Sequence, residues 1–263
     1  MHLEVLSRQP DEEGGGKPPL LFVHGAYVGA WCWEEHFLDW FAARGYEAHA
    51  VSLRGHGGSS GHDRLDQLGL ADYAEDVQRA VQALPRSPVL IGHSMGALVA
   101  QKCVERLGGI PALVLACPVP SYGLLPSSFS LALTRPSLFA GLNSVASGGG
   151  ASAEVLVEAL FAQPPVDGKL ERCYRRMQRE SRRALLDMSG WGLPLPWLSR
   201  RPPTLVLGAE RDALFSPIEA QSSARVLGAE FRLLRDIGHA VMLDGGWERA
   251  AQAIDDWLSA RRF

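Results

Sequence analysis

The chain of 263 residues is long enough to bury a large core, and we expect one domain with an insertion. Hydrophobic residues make up 46% and charged residues 21%, as in ordinary globular proteins, and the formal charge of −3 gives no electrostatic basis for binding nucleic acid. The sequence contains no long uninterrupted apolar stretch and no secretory signal pattern at its start, so we expect no membrane span. Four scattered cysteines without metal-ligand spacing favour reduced thiols in a cytoplasmic protein.

Short apolar runs alternate with helical patterns in the first half of the chain. The apolar runs predict strands near residues 3–5, 20–23, 47–51, 89–91 and 112–116. The helical patterns predict helices over residues 31–43, 72–84 and 95–107. Asp72 is the expected N-cap of the second helix, and Glu75 resembles the partner in a capping box. This alternation of strands and helices indicates a parallel sheet covered by helices.

The fourth apolar run leads directly into the stretch Gly92-His93-Ser94-Met95-Gly96. A Gly-x-Ser-x-Gly sequence between a strand and a helix is typical of a nucleophile elbow, a strained turn that presents the serine hydroxyl above a sheet. The helix that follows directs its free N–H groups and its positive dipole end to the same place. The alternative is a glycine-rich turn with an incidental serine, so the rest of the chain must supply catalytic partners.

Three motifs in this order resemble the α/β-hydrolase superfamily: Phe22-Val23-His24-Gly25, the loop Leu53–Ser59, and Gly92–Gly96. The stretch His24–Trp33 is most similar to the branch that contains small-ester esterases, plant methylesterases and hydroxynitrile lyases. The resemblance implies an α/β fold, a mostly parallel twisted sheet with helices on both faces and an inserted, mainly helical cap. We therefore expect a core at 1–120 and 200–263, with the cap at 121–199. Ser52 departs from the pattern, since the superfamily often has an acidic residue there.

The expected cap contains a helical pattern over residues 170–188. Tyr174 and Met177 lie on its apolar face, which makes them candidate substrate-binding residues together with Tyr27. The other faces carry six arginines, at positions 172, 175, 176, 179, 182 and 183. We favour a solvated basic face over the alternative that an arginine recognises an acidic substrate.

The second half of the chain repeats one arrangement twice, a buried strand followed by a loop with a chemically useful side chain. A strand at 204–208 leads to Asp212, and a strand at 231–234 leads to His239. A serine nucleophile needs a base to take its proton, and a carboxylate fixes the tautomer of that base. Ser94, Asp212 and His239 follow the superfamily order of nucleophile, acid and histidine.

Other acids and histidines of the chain are alternatives to members of this triad. Glu210 is an alternative acid that matches the family position less well, and Asp236 is close to His239 in sequence. His93 is expected to pack beneath the elbow, and His24 to brace the loop of the oxyanion hole. The resemblance implies that the backbone N–H groups of Met95 and Ala26 form that hole.

The predicted activity is hydrolysis of carboxylic esters of small or medium apolar substrates through an acyl-enzyme on Ser94, without a cofactor or metal. Aspartate-dependent dehalogenases and epoxide hydrolases are disfavoured by Ser94. Hydroxynitrile lyases of the similar branch carry a lysine where this chain has Ala240. A carbon–carbon bond hydrolase with the same triad, a perhydrolase side activity and a non-catalytic ligand-binding member stay as alternatives.

Overall fold

The computed structural model describes residues 2–10, 16–147, 149, 152–165, 168–195 and 202–263. Within these residues, the strands of the protein are β1 (Val5–Arg8), β2 (Leu20–Val23), β3 (Ala48–Val51), β4 (Val89–His93), β5 (Leu113–Ala116), β6 (Thr204–Ala209) and β7 (Glu230–Leu234). These described strands form one sheet in the order β1-β3-β2-β4-β5-β6-β7, in which only the β1–β3 pair is antiparallel. The predicted mostly parallel sheet is confirmed.

The helices of the described residues are α1 (Trp31–Glu34), α2 (Phe37–Ala42), α3 (Leu70–Ala83), α4 (Met95–Arg106), α5 (Leu124–Thr134), α6 (Pro136–Ala146), α7 (Ala153–Leu160), α8 (Lys169–Arg176), α9 (Arg182–Leu186), α10 (Pro217–Leu227) and α11 (Trp247–Ser259). Within the described ranges, no helix is both long and apolar enough to cross a membrane.

The apolar runs form buried strands because both faces of the sheet are covered by helices. Along β2, Leu20 and Phe22 join a core cluster with Trp257 of α11, whereas Leu21 and Val23 join the cluster on the opposite face. The second cluster includes apolar side chains of α3, α4 and α10. The two-residue alternation of a strand thus divides the core into two layers.

The strand order places one end of the sheet in position to hold a site. The chain passes from β2 outward to β3 and then returns to the other side of β2 to form β4. Ligands bind at such a reversal, in the crevice beyond the carboxyl ends of parallel strands. His24 and Ser94 follow β2 and β4 directly, so both residues border this crevice.

Two predicted helices of the core begin or continue differently in the structure. The expected helix over 31–43 is divided into α1 and α2, because His36 leaves helical geometry with φ −150°. Its ring stacks on Trp247 at 4.4 Å between centroids. α3 begins after Gly69 rather than at Asp72, whose carboxylate accepts the Gly69 N–H at 2.9 Å. The predicted N-cap at Asp72 was therefore wrong.

The predicted helix over 170–188 is interrupted in the middle. α8 ends at Arg176, Met177 is extended with ψ 147°, and α9 starts after Ser181, whose hydroxyl accepts the Ala184 N–H. A π-helical turn at Asp187–Trp191 follows. The helix breaks because Gln178 and Glu180 make hydrogen bonds to loops of the core. These bonds stabilise an extended backbone more than continued helical hydrogen bonding would.

Helices α5 to α9 and the turn at Asp187–Trp191 all lie between β5 and β6, and we call them the helical segment. The sequence patterns did not predict α5, α6 or α10. The expected boundary between residues 199 and 200 lies outside the described residues.

Candidate active site

The turn between β4 and α4 holds Ser94 in a strained conformation with φ 53° and ψ −116°. Non-glycine residues rarely adopt a positive φ, and strained conformations of this kind cluster at functional sites. The turn depends on two glycines for close packing. A Cβ on Gly92 would collide with the backbone of Gly96, and one on Gly96 would collide with the carbonyl oxygens of Val23 and His24. The predicted elbow geometry is therefore present around Ser94.

His239 donates a hydrogen bond from Nδ1 to Oδ2 of Asp212 at 2.8 Å. Both side chains are buried, with 3% and 1% of their surfaces exposed. The other carboxylate oxygen, Oδ1, accepts the N–H groups of Leu214 at 2.8 Å and Phe215 at 3.0 Å. Because Nδ1 of His239 carries the proton that it donates to Asp212, Nε2 of the neutral ring has a free lone pair. Nε2 is therefore the nitrogen that can act as a general base.

The two alternative acids, Glu210 and Asp236, contact groups other than His239. The carboxylate of Glu210 accepts the backbone N–H of Asp236 at 3.1 Å. The Asp236 carboxylate lies 3.7 Å from Arg211. Among the three candidate acids, Asp212 is therefore the one that the fold brings to His239.

The loop that carries His239 is fixed by Asp244, a fully buried residue that sequence reasoning missed. Its Oδ2 accepts the N–H groups of Gly238 at 3.1 Å and of Ala162 at 2.8 Å. Gly238 packs tightly here, because a Cβ would lie 2.6 Å from the Ala162 nitrogen. The stretch Asp244-Gly245-Gly246 has the composition of an Asx turn and was the available signal.

His93 connects the elbow to this histidine loop. Its Nε2–H donates to the carbonyl of His239 at 2.9 Å, and the two rings lie 4.8 Å apart. Burial, together with the neighbouring His239, lowers the pKa of His93 well below its usual value. A neutral ring of this kind packs and donates, which is the role that the sequence analysis expected for it.

The loop after β2 approaches the elbow closely. A Cβ on Gly25 would lie 2.8 Å from Nδ1 of His93 and 3.2 Å from Cβ of Ser94. His24 donates from Nδ1 to the Gly25 carbonyl at 2.8 Å and accepts the Leu53 N–H at Nε2 at 3.0 Å. These two bonds define a neutral tautomer, in agreement with burial, which lowers the pKa of His24 to about 3. His24 thus braces the loop that contains Ala26.

Two backbone donors at this place make no hydrogen bond to the part of the chain that the structure describes. They are the N–H of Ala26 and the N–H of Met95, the first residue of α4. Unpaired N–H groups at a helix start form a site for negative charge. Both donors are therefore available to an oxyanion on a substrate.

Cys117 lies beside the acid of the pair and was not singled out by the sequence analysis. It follows β5 with φ 44°, and its Sγ lies within 4.8 Å of the ligating atoms of Asp212 and His239. Burial, with the charge of Asp212, raises the pKa of this thiol well above its usual value. Among the described residues, these three side chains could offer ligand atoms to a metal ion, although Nδ1 of His239 already donates to Asp212. The rule that strand ends border the site would have found Cys117.

A cavity of about 350 Å³ lies above Ser94 and His239, which both line it. The predicted substrate-binding residues Tyr27, Tyr174 and Met177 also line it. Among the described residues of its wall, none is Asp, Glu, Lys or Arg. Much of the wall comes from apolar side chains of the helical segment, among them Leu131, Phe139, Leu142, Leu156, Leu170 and Leu185. The cavity therefore suits a neutral, apolar molecule.

Three arginines of the helical segment make ion pairs with carboxylates that do not line this cavity. Arg175 pairs with Glu171 at 3.0 Å, and Arg179 pairs with Asp66 at 3.0 Å. Arg183 pairs with Asp187 at 3.0 Å. This arrangement fits the solvated basic face that the sequence analysis favoured.

The chain belongs to the alpha/beta hydrolase family, since the model of that family matches residues 20–253. A probable esterase of Oryza sativa subsp. indica is 34% identical over 116 residues, which are 42% of this chain and 43% of that protein. Methyl jasmonate esterase 1 of Vitis vinifera is 30% identical over 90 residues, 33% of each chain. The chain thus matches less than half the length of these two curated relatives.

A solved thermophilic esterase from Thermogutta terrifontis has a TM-score of 0.71 and 23% identity, and the match covers 98% of this chain and 93% of that one. At this identity the likeness concerns the fold. Together with the family match, it confirms the resemblance predicted from the three sequence motifs.

Proposed function

We propose that the protein is a carboxylic ester hydrolase that forms an acyl-enzyme on Ser94. The observation that carries the proposal is the hydrogen bond between Asp212 and His239 at a cavity that Ser94 also lines. This arrangement follows the logic of a serine triad, in which an acid orients a histidine and the histidine activates a serine. The esterase names of the curated relatives support the same reaction class.

The acylation step uses the residues as follows. Nε2 of His239 takes the hydroxyl proton while Oγ of Ser94 bonds to the carbonyl carbon of the ester. The negative charge that develops on the carbonyl oxygen is stabilised by the N–H groups of Ala26 and Met95. The bond to the alcohol then breaks, and the alcohol leaves with the proton from His239.

Deacylation reverses these roles with water as the nucleophile. His239 takes a proton from water, whose oxygen bonds to the acyl carbon. The bond to Oγ then breaks, Ser94 regains its proton, and the carboxylic acid leaves. Asp212 stays ionised and stabilises the imidazolium in both steps.

The uncharged wall indicates the class of ester. A buried charge without a partner is costly, so the cavity disfavours substrates with a carboxylate or ammonium group. Its volume of about 350 Å³ fits a small or medium apolar ester. We further propose that the helical segment is a cap over the site and that it selects the substrate. The four free, buried cysteines support a reducing, cytoplasmic setting.

Turnover of p-nitrophenyl esters from acetate to octanoate tests the proposal. We expect the wild type to hydrolyse at least the shorter esters, and Ser94→Ala to lose about 10³-fold or more in kcat while its circular dichroism is unchanged. Unchanged turnover in Ser94→Ala would rule out the proposed nucleophile. A wild type that binds esters without product release would favour the non-catalytic alternative instead.

A further inference from the structure

Glu180 lies in the extended stretch between α8 and α9 with its carboxylate fully buried. Four hydrogen bonds end on this carboxylate. Oε1 accepts the Tyr73 hydroxyl at 2.9 Å and the Ser181 N–H at 2.7 Å. Oε2 accepts Nε2–H of His56 at 3.0 Å and the backbone N–H of Tyr27 at 3.3 Å. Every partner but Ser181 belongs to the α/β core, so Glu180 connects the helical segment to the core.

The geometry of His56 shows that this connection is ionic. Its Nε2 faces Glu180, and its Nδ1 faces the carbonyl of Arg54 at 3.2 Å. Both neighbours are acceptors, so the ring satisfies both only as an imidazolium. Burial opposes this charge, but the Glu180 carboxylate leaves the pKa of His56 above its usual value. Burial likewise opposes the charge of Glu180, and His56 leaves the pKa of that carboxyl below its usual range.

The bond to Tyr27 reaches the loop of the oxyanion donors. Three polar groups of this loop are held in succession by hydrogen bonds. The Gly25 carbonyl accepts from His24 at 2.8 Å, the Tyr27 N–H donates to Glu180, and the Tyr27 carbonyl accepts the Gln178 N–H at 2.9 Å. Between them lies the N–H of Ala26, which makes no hydrogen bond to the described residues and which the loop leaves free for the substrate.

The loop needs outside support because Tyr27 has φ 68°, in the left-handed region that disfavours side-chain-bearing residues. Such a conformation persists where surrounding contacts impose it. Residues 178 and 180 bond to both peptide groups of Tyr27, so the helical segment supplies this support from above the sheet.

We propose that Glu180 is a positioning residue for the oxyanion hole. By accepting the Tyr27 N–H, its carboxylate holds the preceding N–H, that of Ala26, in its catalytic direction. The inference rests on the proposed ester hydrolysis and makes the hole dependent on the seating of the helical segment. A substitution at Glu180 then weakens transition-state stabilisation without removing any group that touches the substrate.

Glu180→Gln is the test variant, because it keeps the side-chain shape but removes the charge and half of the acceptors. We expect kcat for p-nitrophenyl butyrate to fall about tenfold or more, part of the 10²–10³-fold loss of a complete oxyanion donor. KM should stay within about threefold, since the ester makes no contact with residue 180. Affinity for a phenylboronic acid, which forms a tetrahedral adduct with the serine, should fall in parallel with kcat.

Tyr73→Phe is the matched control, because it removes a bond to the other oxygen of the same carboxylate. We expect its kcat and boronate affinity to stay within about threefold of the wild type. Equal losses in Glu180→Gln and Tyr73→Phe, or wild-type kcat in Glu180→Gln, would overturn the positioning role. Either result leaves the proposed esterase intact, since that proposal depends on wild-type turnover and its loss in Ser94→Ala.

Amide hydrogen exchange tests the bond between Tyr27 and Glu180 in the wild-type protein. The result therefore depends neither on whether a variant folds nor on which substrate is used. NMR should show the Tyr27 N–H to be strongly protected, because its acceptor is buried. Exchange of the Tyr27 N–H at the rate of an exposed loop would refute the bond to Glu180, whatever ester the enzyme uses.

Discussion

The α/β core and the helical segment contribute to the site in different ways. The core supplies Ser94, Asp212 and His239, each of which follows a strand of the sheet. β2, β4 and β5 are buried along their whole length. The helical segment supplies much of the cavity wall, yet Ser127 and Leu138 are the buried residues of the described parts of α5 and α6.

The helical segment is seated on the core by buried side chains, among them Cys173 and Ala184, and by polar contacts. Ser127 donates to Glu219 at 2.5 Å, and Asp187 accepts the Leu70 N–H at 3.0 Å. Glu180 adds its bonds to His56 and Tyr27. Close packing therefore fixes the candidate catalytic residues in the core, whereas we propose that substrate selection depends on the helical segment, whose helices α5 and α6 bury few residues.

The largest effect in the α/β core is expected from a substitution of Asp212. Asp212→Asn should lower kcat by about 10³–10⁴-fold, because an amide stabilises the wrong tautomer of His239 and no longer stabilises its charge. KM for short esters should change little, since the Asp212 side chain is 1% exposed. Steady-state kinetics give both values. A kcat within tenfold of the wild type would show that Asp212 is not the acid.

Close packing at the oxyanion loop predicts the next largest effect. In Gly25→Ala, the new methyl group would lie 2.8 Å from His93 and 3.2 Å from Ser94, so the backbone must shift. We expect kcat to fall about 10²-fold, as for one displaced oxyanion donor. Gly108→Ala is the control, because a Cβ there meets no atom within 4 Å. Equal activity of the two variants would contradict the tight approach.

Acidic pH should lower the free energy of unfolding, because the α/β core holds two buried histidines in their neutral form. The pKa of His24 is lowered to about 3 by burial, so below its unfolded value of about 6.5 the unfolded chain binds a proton that the folded chain does not. The free energy of unfolding should fall by about 3 kcal/mol between pH 6.5 and 4, with a further loss from His93, whose pKa is also lowered.

The His56–Glu180 pair adds little slope over that range. The pKa of His56 is raised, so its contribution is complete below about pH 6.5, and the pKa of Glu180 is lowered, so its contribution begins to be lost only below its unfolded value of about 4.5. Urea unfolding at each pH measures the slope. A flat profile from pH 6.5 to 4 would contradict neutral, buried His24 and His93.

The smallest effect is expected on the outer face of the helical segment. Arg175→Ala removes an exposed pair with Glu171 and should change the free energy of unfolding by less than about 0.5 kcal/mol. The kcat/KM values for neutral esters and for esters with a free carboxylate should both stay within about twofold. A selective loss on the acidic esters would instead favour recognition by arginine.

The same division explains what the sequence could predict. Ser94, Asp212 and His239 follow apolar runs, and parallel strands bring their ends together, so order along the chain and the family resemblance could predict that they lie at one edge of the sheet. Ser52 shows a limit of this approach. Its hydroxyl donates at 2.6 Å to the carboxylate of Glu4, so an acid from the first residues of the chain reaches the place where the family often has one.

The helical segment was harder to predict because spacing does not reveal tertiary hydrogen bonds. Residues 170–188 have a helical period, but Gln178 and Glu180 bond to core loops more than 120 residues away in sequence and interrupt the helix. Their signal was a single acid among arginines, at Arg179-Glu180-Ser181. Such a pattern also fits a solvated face, so the structure was needed to place Glu180.

The central claim is that Ser94 carries the acyl group, and mass spectrometry of the digested protein tests it most directly. The wild type is mixed briefly with a p-nitrophenyl ester, quenched in acid and digested. The account predicts a mass increase of one acyl group on the peptide that contains Ser94, and no such increase in Ser94→Ala. An acyl group on another residue, or ester turnover by Ser94→Ala, would contradict it.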